Sequence, residues 1–152
     1  MRLRLIAVGR LKPGPLKELE RHYAARIRWP LEIREVEERR KLPPAALKER
    51  EAILLLAELP AGAVAVALDR RGQPLSSEAF AAELAAWRDR AAAVAFLLGG
   101  ADGLDDVVCR RAARVLSLGA MTWPHFLARG MLLEQIYRAQ QILAGHPYHR
   151  AD

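Results

Sequence analysis

The sequence predicts an α/β domain with a mostly parallel sheet and helices on both faces. Strand-like apolar runs and helix-like segments alternate about five times along the chain, as in repeated strand–helix units. Two runs, AVAVALD (63–69) and AVAFLLGG (93–100), are apolar almost throughout, as expected of central strands covered on both faces. A length of 152 residues with no internal repeat or interdomain linker predicts a single domain over residues 1–152.

The first part of the chain supplies two strands and two helices. LRLIAVG (3–9) is a short apolar run closed by a glycine, and LEIREV (31–36) alternates with the period of a half-buried strand. A helix is predicted from about Pro15, because proline fits the first helical position. The second predicted helix, AALKEREAILLLAEL (45–59), follows a pair of prolines.

The middle of the chain continues the alternation. Ser76 or Ser77 is predicted to cap a third helix, EAFAAELAAWRDR (78–90), since a serine side chain accepts a hydrogen bond from a free backbone N–H. A short helix from about Asp105 and a short strand, RVLSLG (114–119), follow the fourth strand.

The last helix is predicted from about His125 to Ala144. Gly145 and Pro147 are expected to stop it. Gly130 inside this helix costs about 1 kcal/mol relative to alanine. It therefore predicts the close approach of another backbone, such as that of a second subunit.

The charge of the chain is basic and unevenly placed. The net charge is +6 and the pI is about 10.1, which is typical of proteins that meet nucleic acid. Residues 1–62 carry 14 Lys and Arg against 9 Asp and Glu, whereas residues 63–152 carry 10 against 9. The basic run Arg39, Arg40, Lys41 lies in the first half.

Several classes of protein are disfavoured by composition. No apolar run approaches the roughly 18 residues of a membrane span, and the N-terminus lacks a signal-peptide pattern, so we expect a soluble, cytoplasmic protein. Cys109 is alone, which excludes an intrachain disulfide and a CxxC pair. His146 and His149 have no matching carboxylate or cysteine nearby, so no metal site is predicted.

Ligands of open parallel sheets bind beyond the carboxyl ends of the strands, so the segments that follow strands are informative. These segments are 69–72 after the third strand, 99–104 after the fourth and 119–125 after the fifth. Segment 99–104 has three glycines, which allow close approach of a backbone to a ligand, but it is neither GxGxxG nor a P-loop. A nucleoside-like ligand without a polyphosphate is the better interpretation.

Several segments together resemble one family. LLGGADGL, LSLGAMTWPHFLARGMLLEQIYRAQQI and the terminal HPYHR are similar to the ribosomal RNA large-subunit methyltransferase H family, RlmH, of the SPOUT superfamily. LIAVGRLK and ALDRRGQPLSSEAFAAEL extend the resemblance over essentially the whole chain. The sequence departs from the commoner family pattern at Gly119, Trp123 and Gly130.

The resemblance implies properties that periodicity does not. It implies a C-terminal trefoil knot, a homodimer and S-adenosylmethionine as methyl donor. The implied substrate is a pseudouridine of 23S ribosomal RNA, methylated at N3 in the assembled ribosome. Residues that the resemblance assigns to the cofactor are Leu68, Gly100, Gly119, Ala120, Met121, Thr122, Trp123 and Pro124.

The C-terminal HPYHR is unusual for a terminus, because functionless termini tend to be small and polar. We expect His149 to take the N3 proton, Arg150 to hold a phosphate or oxyanion, and Tyr148 to stack on the extruded base. We expect the tail to reach across to the partner subunit's cofactor. The alternative is a tail that Tyr148 pins by packing against its own fold. His125 and Arg138 are the second candidates for these roles, for taking the proton and binding the phosphate.

Two rival functions stay open on the sequence. One is a related knotted methyltransferase acting on another RNA, such as tRNA. The other is a basic ribosome-binding factor that has lost the cofactor. A Rossmann-type oxidoreductase is disfavoured, because the first strand leads into GRLKPG rather than a dinucleotide fingerprint.

Overall fold

A computed structural model describes residues 1–150, in which five strands alternate with five helices. In chain order the elements are β1 (Arg2–Val8), α1 (Pro15–Ala24), β2 (Leu31–Val36), α2 (Pro44–Ala57), β3 (Val64–Pro74), α3 (Ser77–Arg90), β4 (Ala93–Leu98), α4 (Asp106–Arg111), β5 (Arg114–Ser117) and α5 (His125–Leu143). Every predicted element is present. The last two residues of the predicted domain lie outside the described range.

The five strands form one parallel sheet in the order β2-β1-β4-β3-β5. The central position predicted for the apolar third and fourth strands is confirmed. β2, which alternates apolar and polar residues, lies at an edge. Because all strands run the same way, the segments that follow them meet at one edge of the sheet.

Helices cover both faces of the sheet, as predicted. On one face, α3 and α5 pack with α1 against alternate strand residues, among them Leu5, Val66 and Phe96. On the other face, α2 and α4 pack against the intervening residues, including Ile6 and Leu97. Burial of each large apolar side chain contributes about 1.5–3 kcal/mol, so these two layers hold the sheet.

Local capping follows the sequence. Ser76, rather than Ser77, caps α3 and accepts a hydrogen bond from the N–H of Ala79 at 3.1 Å. α5 ends at Leu143, and Gly145 follows its cap residue Ala144 with a φ of +70°, which favours glycine.

The glycine inside α5 has a different neighbour from the one predicted. A Cβ on Gly130 would lie 2.6 Å from Cδ2 of Leu19 in α1. The close neighbour is therefore a side chain of the same chain, not a second backbone.

The third strand is longer than predicted. β3 continues past Asp69 to Pro74, and Leu116 of β5 pairs with Leu68 and, after a register shift, with Gln73. At Gly72 a Cβ would lie 2.6 Å from the carbonyl oxygen of Val115. Residues 69–72 therefore interrupt the pairing of β3 with β5 as a bulge that lies close to β5, an arrangement that hydrophobic periodicity does not encode. The trefoil knot stays a prediction.

Two further features concern membranes and metals. Within residues 1–150 no helix is long and apolar enough to cross a bilayer. In the same range, no group of three or more His, Cys, Asp or Glu side chains is arranged to hold a metal ion.

Candidate functional site

A cavity of about 490 Å³ lies where β3, β4 and β5 end. Ligand cavities for small molecules typically measure about 300–1,000 Å³. The cavity joins the three segments that the sequence singled out, because the carboxyl ends of parallel strands share one edge. α2 and the start of α5 complete its wall through Lys48, His125 and Ala128.

The glycine-rich segment after β4 forms a tight turn in the cavity wall. A Cβ on Gly99 would lie 2.6 Å from the carbonyl carbon of Gly103, and Gly103 has a φ of +79°. Larger residues are excluded at both positions. The turn therefore exposes main-chain groups to the cavity with no side chain over them.

Arg71 ties the segment after β3 to the segment after β4. Its guanidinium donates to Asp69 at 2.9 Å, to Asp106 at 2.6 Å and to the carbonyl oxygen of Leu104 at 2.9 Å. Burial raises the pKa of Asp69, but the hydrogen bonds from Arg71 and from the N–H of Leu104 outweigh it and hold the pKa below its usual value. Two walls of the cavity are thus held at a fixed spacing.

Most of the residues implied to bind the cofactor lie in the cavity wall. Leu68, Gly100, Gly119, Met121, Thr122 and Trp123 line the cavity, whereas Ala120 and Pro124 do not. Ser117 shapes this segment, since its hydroxyl donates to the carbonyl oxygen of Gly119 at 2.9 Å and accepts from the N–H of Gly119 at 3.1 Å.

His125 lies in the same wall and is half-buried. Its ring packs against the ring of Phe126 with centroids 4.2 Å apart. Burial, together with the charge of Arg129, lowers the pKa of His125 below its ordinary value. The imidazole is therefore neutral at physiological pH and has a lone pair that can accept a proton.

Arg129 is a residue that the sequence reasoning missed. It is only 1% exposed, and its guanidinium donates to Glu35 and to the carbonyl oxygens of Val8 and Gly9 at the end of β1. The sequence pattern that could have identified it is its position on the apolar face of α5, since Leu132, Leu133 and Ile136 follow it at helical spacing and are buried.

The C-terminal cluster, which we define as Glu78, Glu134, Arg138, Tyr148 and His149, brings the predicted tail residues onto α5 and α3. The hydroxyl of Tyr148 donates to Glu134 at 3.1 Å, and Arg138 donates to the same carboxylate at 2.6 Å. The Arg138 guanidinium also lies 5.0 Å from the ring centroid of Tyr148. Burial and the bond to Glu134 raise the pKa of Tyr148 to about 12.

His149 has both ring nitrogens engaged. Nδ1 accepts from Arg138 at 3.1 Å, so Nε2 carries the proton of the neutral ring and donates to Glu78 at 2.7 Å. Acting as a base would require His149 to release one of these contacts. His125 is the less constrained of the two histidines.

Within one chain, the part of the C-terminal cluster around Arg138 lies away from the cavity at the strand ends. Arg138 follows His125 by 13 residues on the same helix, which corresponds to about 20 Å at 1.5 Å per residue. A second cavity of about 520 Å³ shares Leu68, Leu118 and Gly119 with the first and also touches Glu134 of the cluster. Arg150 is exposed.

The predicted basic run is partly neutralised. Arg40 and Arg50 both bind Glu38, at 3.0 and 2.9 Å. Arg39 and Lys41 are exposed, and no carboxylate within residues 1–150 lies within ion-pair distance of them. These two side chains leave positive charge free beyond the end of β2.

Residues 1–149 match the family described as "Predicted SPOUT methyltransferase". The chain belongs to the SPOUT methyltransferase family. This SPOUT chain is 60% identical over 152 residues to "Ribosomal RNA large subunit methyltransferase H" of Rhodospirillum centenum, covering 99% of this chain and 100% of that protein. The family resemblance seen in the sequence is confirmed.

Solved structures share the SPOUT fold. A protein described as "Probable Methyltransferase" from Bordetella pertussis Tohama I has a TM-score of 0.61 at 21% identity, covering 91% of this chain and 95% of that one. The SpoU methyltransferase AviRb from Streptomyces viridochromogenes, in complex with the cofactor AdoMet, has a TM-score of 0.50 at 16% identity, covering 93% of this chain and 58% of that one. At these identities the likeness concerns the fold alone.

Proposed function

We propose that the chain, as a single SPOUT domain over residues 1–152, methylates N3 of a pseudouridine in 23S ribosomal RNA with S-adenosylmethionine as donor. The observation that carries the proposal is the cavity at the ends of β3, β4 and β5, in a chain 60% identical to a ribosomal RNA methyltransferase. The target is the assembled ribosome, which puts the chain in the cytoplasm.

The cavity suits a nucleoside-like cofactor without a polyphosphate. Its walls offer bare main chain at Gly100 and Gly119 and apolar surface at Leu68 and Met121. Main-chain N–H and C=O groups pair with adenine and ribose, and apolar side chains cover the ring. When bound, S-adenosylmethionine supplies a methyl group already activated by a sulfonium sulfur.

The protein must remove a proton, because N3 of a uracil-type ring carries one. We assign this role to His125, which lines the cavity and is neutral, and which the sequence analysis had ranked second. In the transfer, the N3–methyl bond would form as the methyl–sulfur bond of the donor breaks to leave a neutral thioether, and the proton of the broken N3–H bond would pass to the free lone pair of His125. A positioned base is worth about 10² to 10⁴ in rate.

In this proposal the C-terminal cluster binds the substrate, and it does not act as the base. Tyr148 offers a ring for base stacking, and the exposed Arg150 offers charge to a phosphate. Arg138, which binds Glu134 at 2.6 Å and lies beside the Tyr148 ring, positions that ring. Because Arg138 lies about 20 Å along α5 from His125 of its own chain, a second copy of the chain brings the cluster to the cavity in this proposal. The exposed side chains of Met121 (73%) and Trp123 (40%) give a homodimer apolar surface to cover beside the cavity.

The unpaired basic side chains contact the RNA backbone. Arg39 and Lys41 follow β2, at the same edge of the sheet as the cavity. Phosphate contacts of this kind position a protein without reading sequence. Specificity comes instead from the shape of the assembled ribosome.

The test is transfer of a labelled methyl group from S-adenosylmethionine to 70S ribosomes that lack the modification. Free 23S RNA and tRNA are the comparison substrates, and a chain truncated after Gly145 is the comparison enzyme. We expect label on ribosomes alone and its loss on truncation. Label on tRNA would support the rival methyltransferase, and absence of cofactor binding would support a non-catalytic ribosome-binding factor.

A further inference from the structure

Two positively charged side chains line the cavity from different elements and have no ion-pair partner. Lys48 of α2 is half-buried and Arg70 of β3 is exposed. Within residues 1–150, no carboxylate lies within ion-pair distance of either cation. Nearby Arg50 and Arg71, by contrast, bind Glu38 and Asp69, each at 2.9 Å. The cavity therefore keeps two cations free where adjacent positions are neutralised.

One carboxylate of the cavity wall is also free. Asp69 is engaged by Arg71 and by the N–H of Leu104, whereas Asp102 is exposed and has no ion pair in the described range. Asp102 lies on the same side as Lys48, because the carboxylate of Glu51, one helical turn after Lys48, lies 3.3 Å from the Cβ position of Gly100, two residues before Asp102. Opposite charges thus border one part of the cavity.

We infer that Lys48, Arg70 and Asp102 form a subsite for the amino-acid head of the methyl donor. This inference rests on the proposed function, since it requires the donor to occupy this cavity. The head is a zwitterion: its carboxylate faces the two cations and its ammonium faces Asp102. Leu68 and the glycine turn carry no charge and leave the head to these three side chains.

The mixed signs favour a zwitterion over a phosphate. A phosphate dianion beside Asp102 would meet like-charge repulsion, which weakens binding in a partly desolvated site. An RNA phosphate is nevertheless the other anion that two free cations would bind. The experiment therefore includes an arm for the ribosome.

The test compares two ligands that differ in the head alone. S-adenosylhomocysteine carries the amino-acid head, and 5′-methylthioadenosine lacks it. Titration calorimetry measures the Kd of each for the wild-type chain, Lys48→Met, Arg70→Met and Asp102→Asn. We expect each substitution to raise the Kd of S-adenosylhomocysteine by about threefold to tenfold. The Kd of 5′-methylthioadenosine should stay within about twofold of the wild-type value.

Arg28→Met is the matched control, because Arg28 is an exposed cation that precedes β2, does not line the cavity and has no ion pair within residues 1–150. It should bind both ligands as the wild-type chain does. Retained binding of 5′-methylthioadenosine also shows that each variant has a folded cavity.

Other outcomes overturn the subsite. Equal weakening of both ligands, or no weakening of either, would mean that these side chains do not contact the head. Unchanged S-adenosylhomocysteine binding with a raised KM for ribosomes would assign the cations to an RNA phosphate instead. A wild-type chain that binds neither ligand would contradict the proposed function itself, which separates the two failures.

Discussion

The guanidinium of Arg129 lies 2.5 Å from the carboxylate of Glu35, and this contact joins α5 to the end of β2. The same guanidinium donates to the carbonyl oxygen of Gly9 at 2.6 Å and lies 3.7 Å from the buried carboxylate of Glu20. α5 begins one turn earlier with His125. Arg129 therefore anchors the helix that carries the cavity histidine to the ends of two strands.

Replacing Arg129 should destabilise the fold strongly. In Arg129→Met, the carboxylate of Glu20 and the carbonyl oxygen of Gly9 lose a buried partner, and breaking a buried ion pair costs about 3–5 kcal/mol. Urea denaturation measures this loss in the free energy of unfolding. Arg34→Met is the control, since its pair with Glu32 is exposed and worth about 1 kcal/mol or less. Equal losses in the two variants would contradict the anchoring role.

The two histidines should differ in their effect on the pH profile. Because burial and Arg129 lower the pKa of His125, kcat should rise with pH through an apparent pKa below 6.5 and then level off. His125→Asn should lower kcat by about 10²-fold or more and abolish this rise. His149→Asn should mainly raise the KM for ribosomes. The reverse pattern would return the base to His149.

A site shared between two chains can be tested with mixed dimers. His125→Asn lacks the base, and a chain truncated after Gly145 lacks the tail; each alone should be inactive. When the two variants are mixed in equal amounts, half of the dimers are hybrids, and each hybrid has one intact site out of two. Methyl transfer should therefore recover to about a quarter of the wild-type level. Recovery requires the tail to act in the partner's site. Absence of recovery, with hybrids shown by mass, would place both elements in one chain.

Glu38 should contribute to stability against acid. Hydrogen bonds from Arg40, chiefly from its side chain, lower the pKa of Glu38 to about 2, from an ordinary value of 4.5. Between these values the unfolded chain binds a proton that the folded chain does not, so the stability contributed by Glu38 falls as pH falls.

The measurement is Tm at about pH 6 and about pH 3. At the higher pH Glu38 is ionised in both states, whereas at the lower pH the unfolded chain binds the proton and the folded chain does not. The wild-type chain should lose more Tm on acidification than Glu38→Gln does. Glu37→Gln, an exposed neighbour outside this ion-pair cluster, should lose as much as the wild type. If Glu37→Gln and Glu38→Gln lost the same Tm on acidification, the contact of Arg40 with Glu38 would not contribute to stability against acid.

The sequence alone determined the alternation of elements, the central strands and most of the cavity. Each of these depends on local physics: continuous apolar runs make buried strands, and Ser76 and Gly145 terminate helices through their own backbone preferences. The cavity followed because parallel strands bring their carboxyl ends to one edge, whatever the loops contain.

Only the tertiary structure decided which distant side chains meet. Arg129 contacts Glu35, which is 94 positions away in the sequence, and His149 contacts Glu78, which is 71 positions away. No sequence periodicity relates these positions. The bulge of β3 against β5 and the contact of Gly130 with Leu19 have the same origin. Such contacts depend on how whole elements pack, because a buried charge is satisfied by whichever partner the folded core brings within reach.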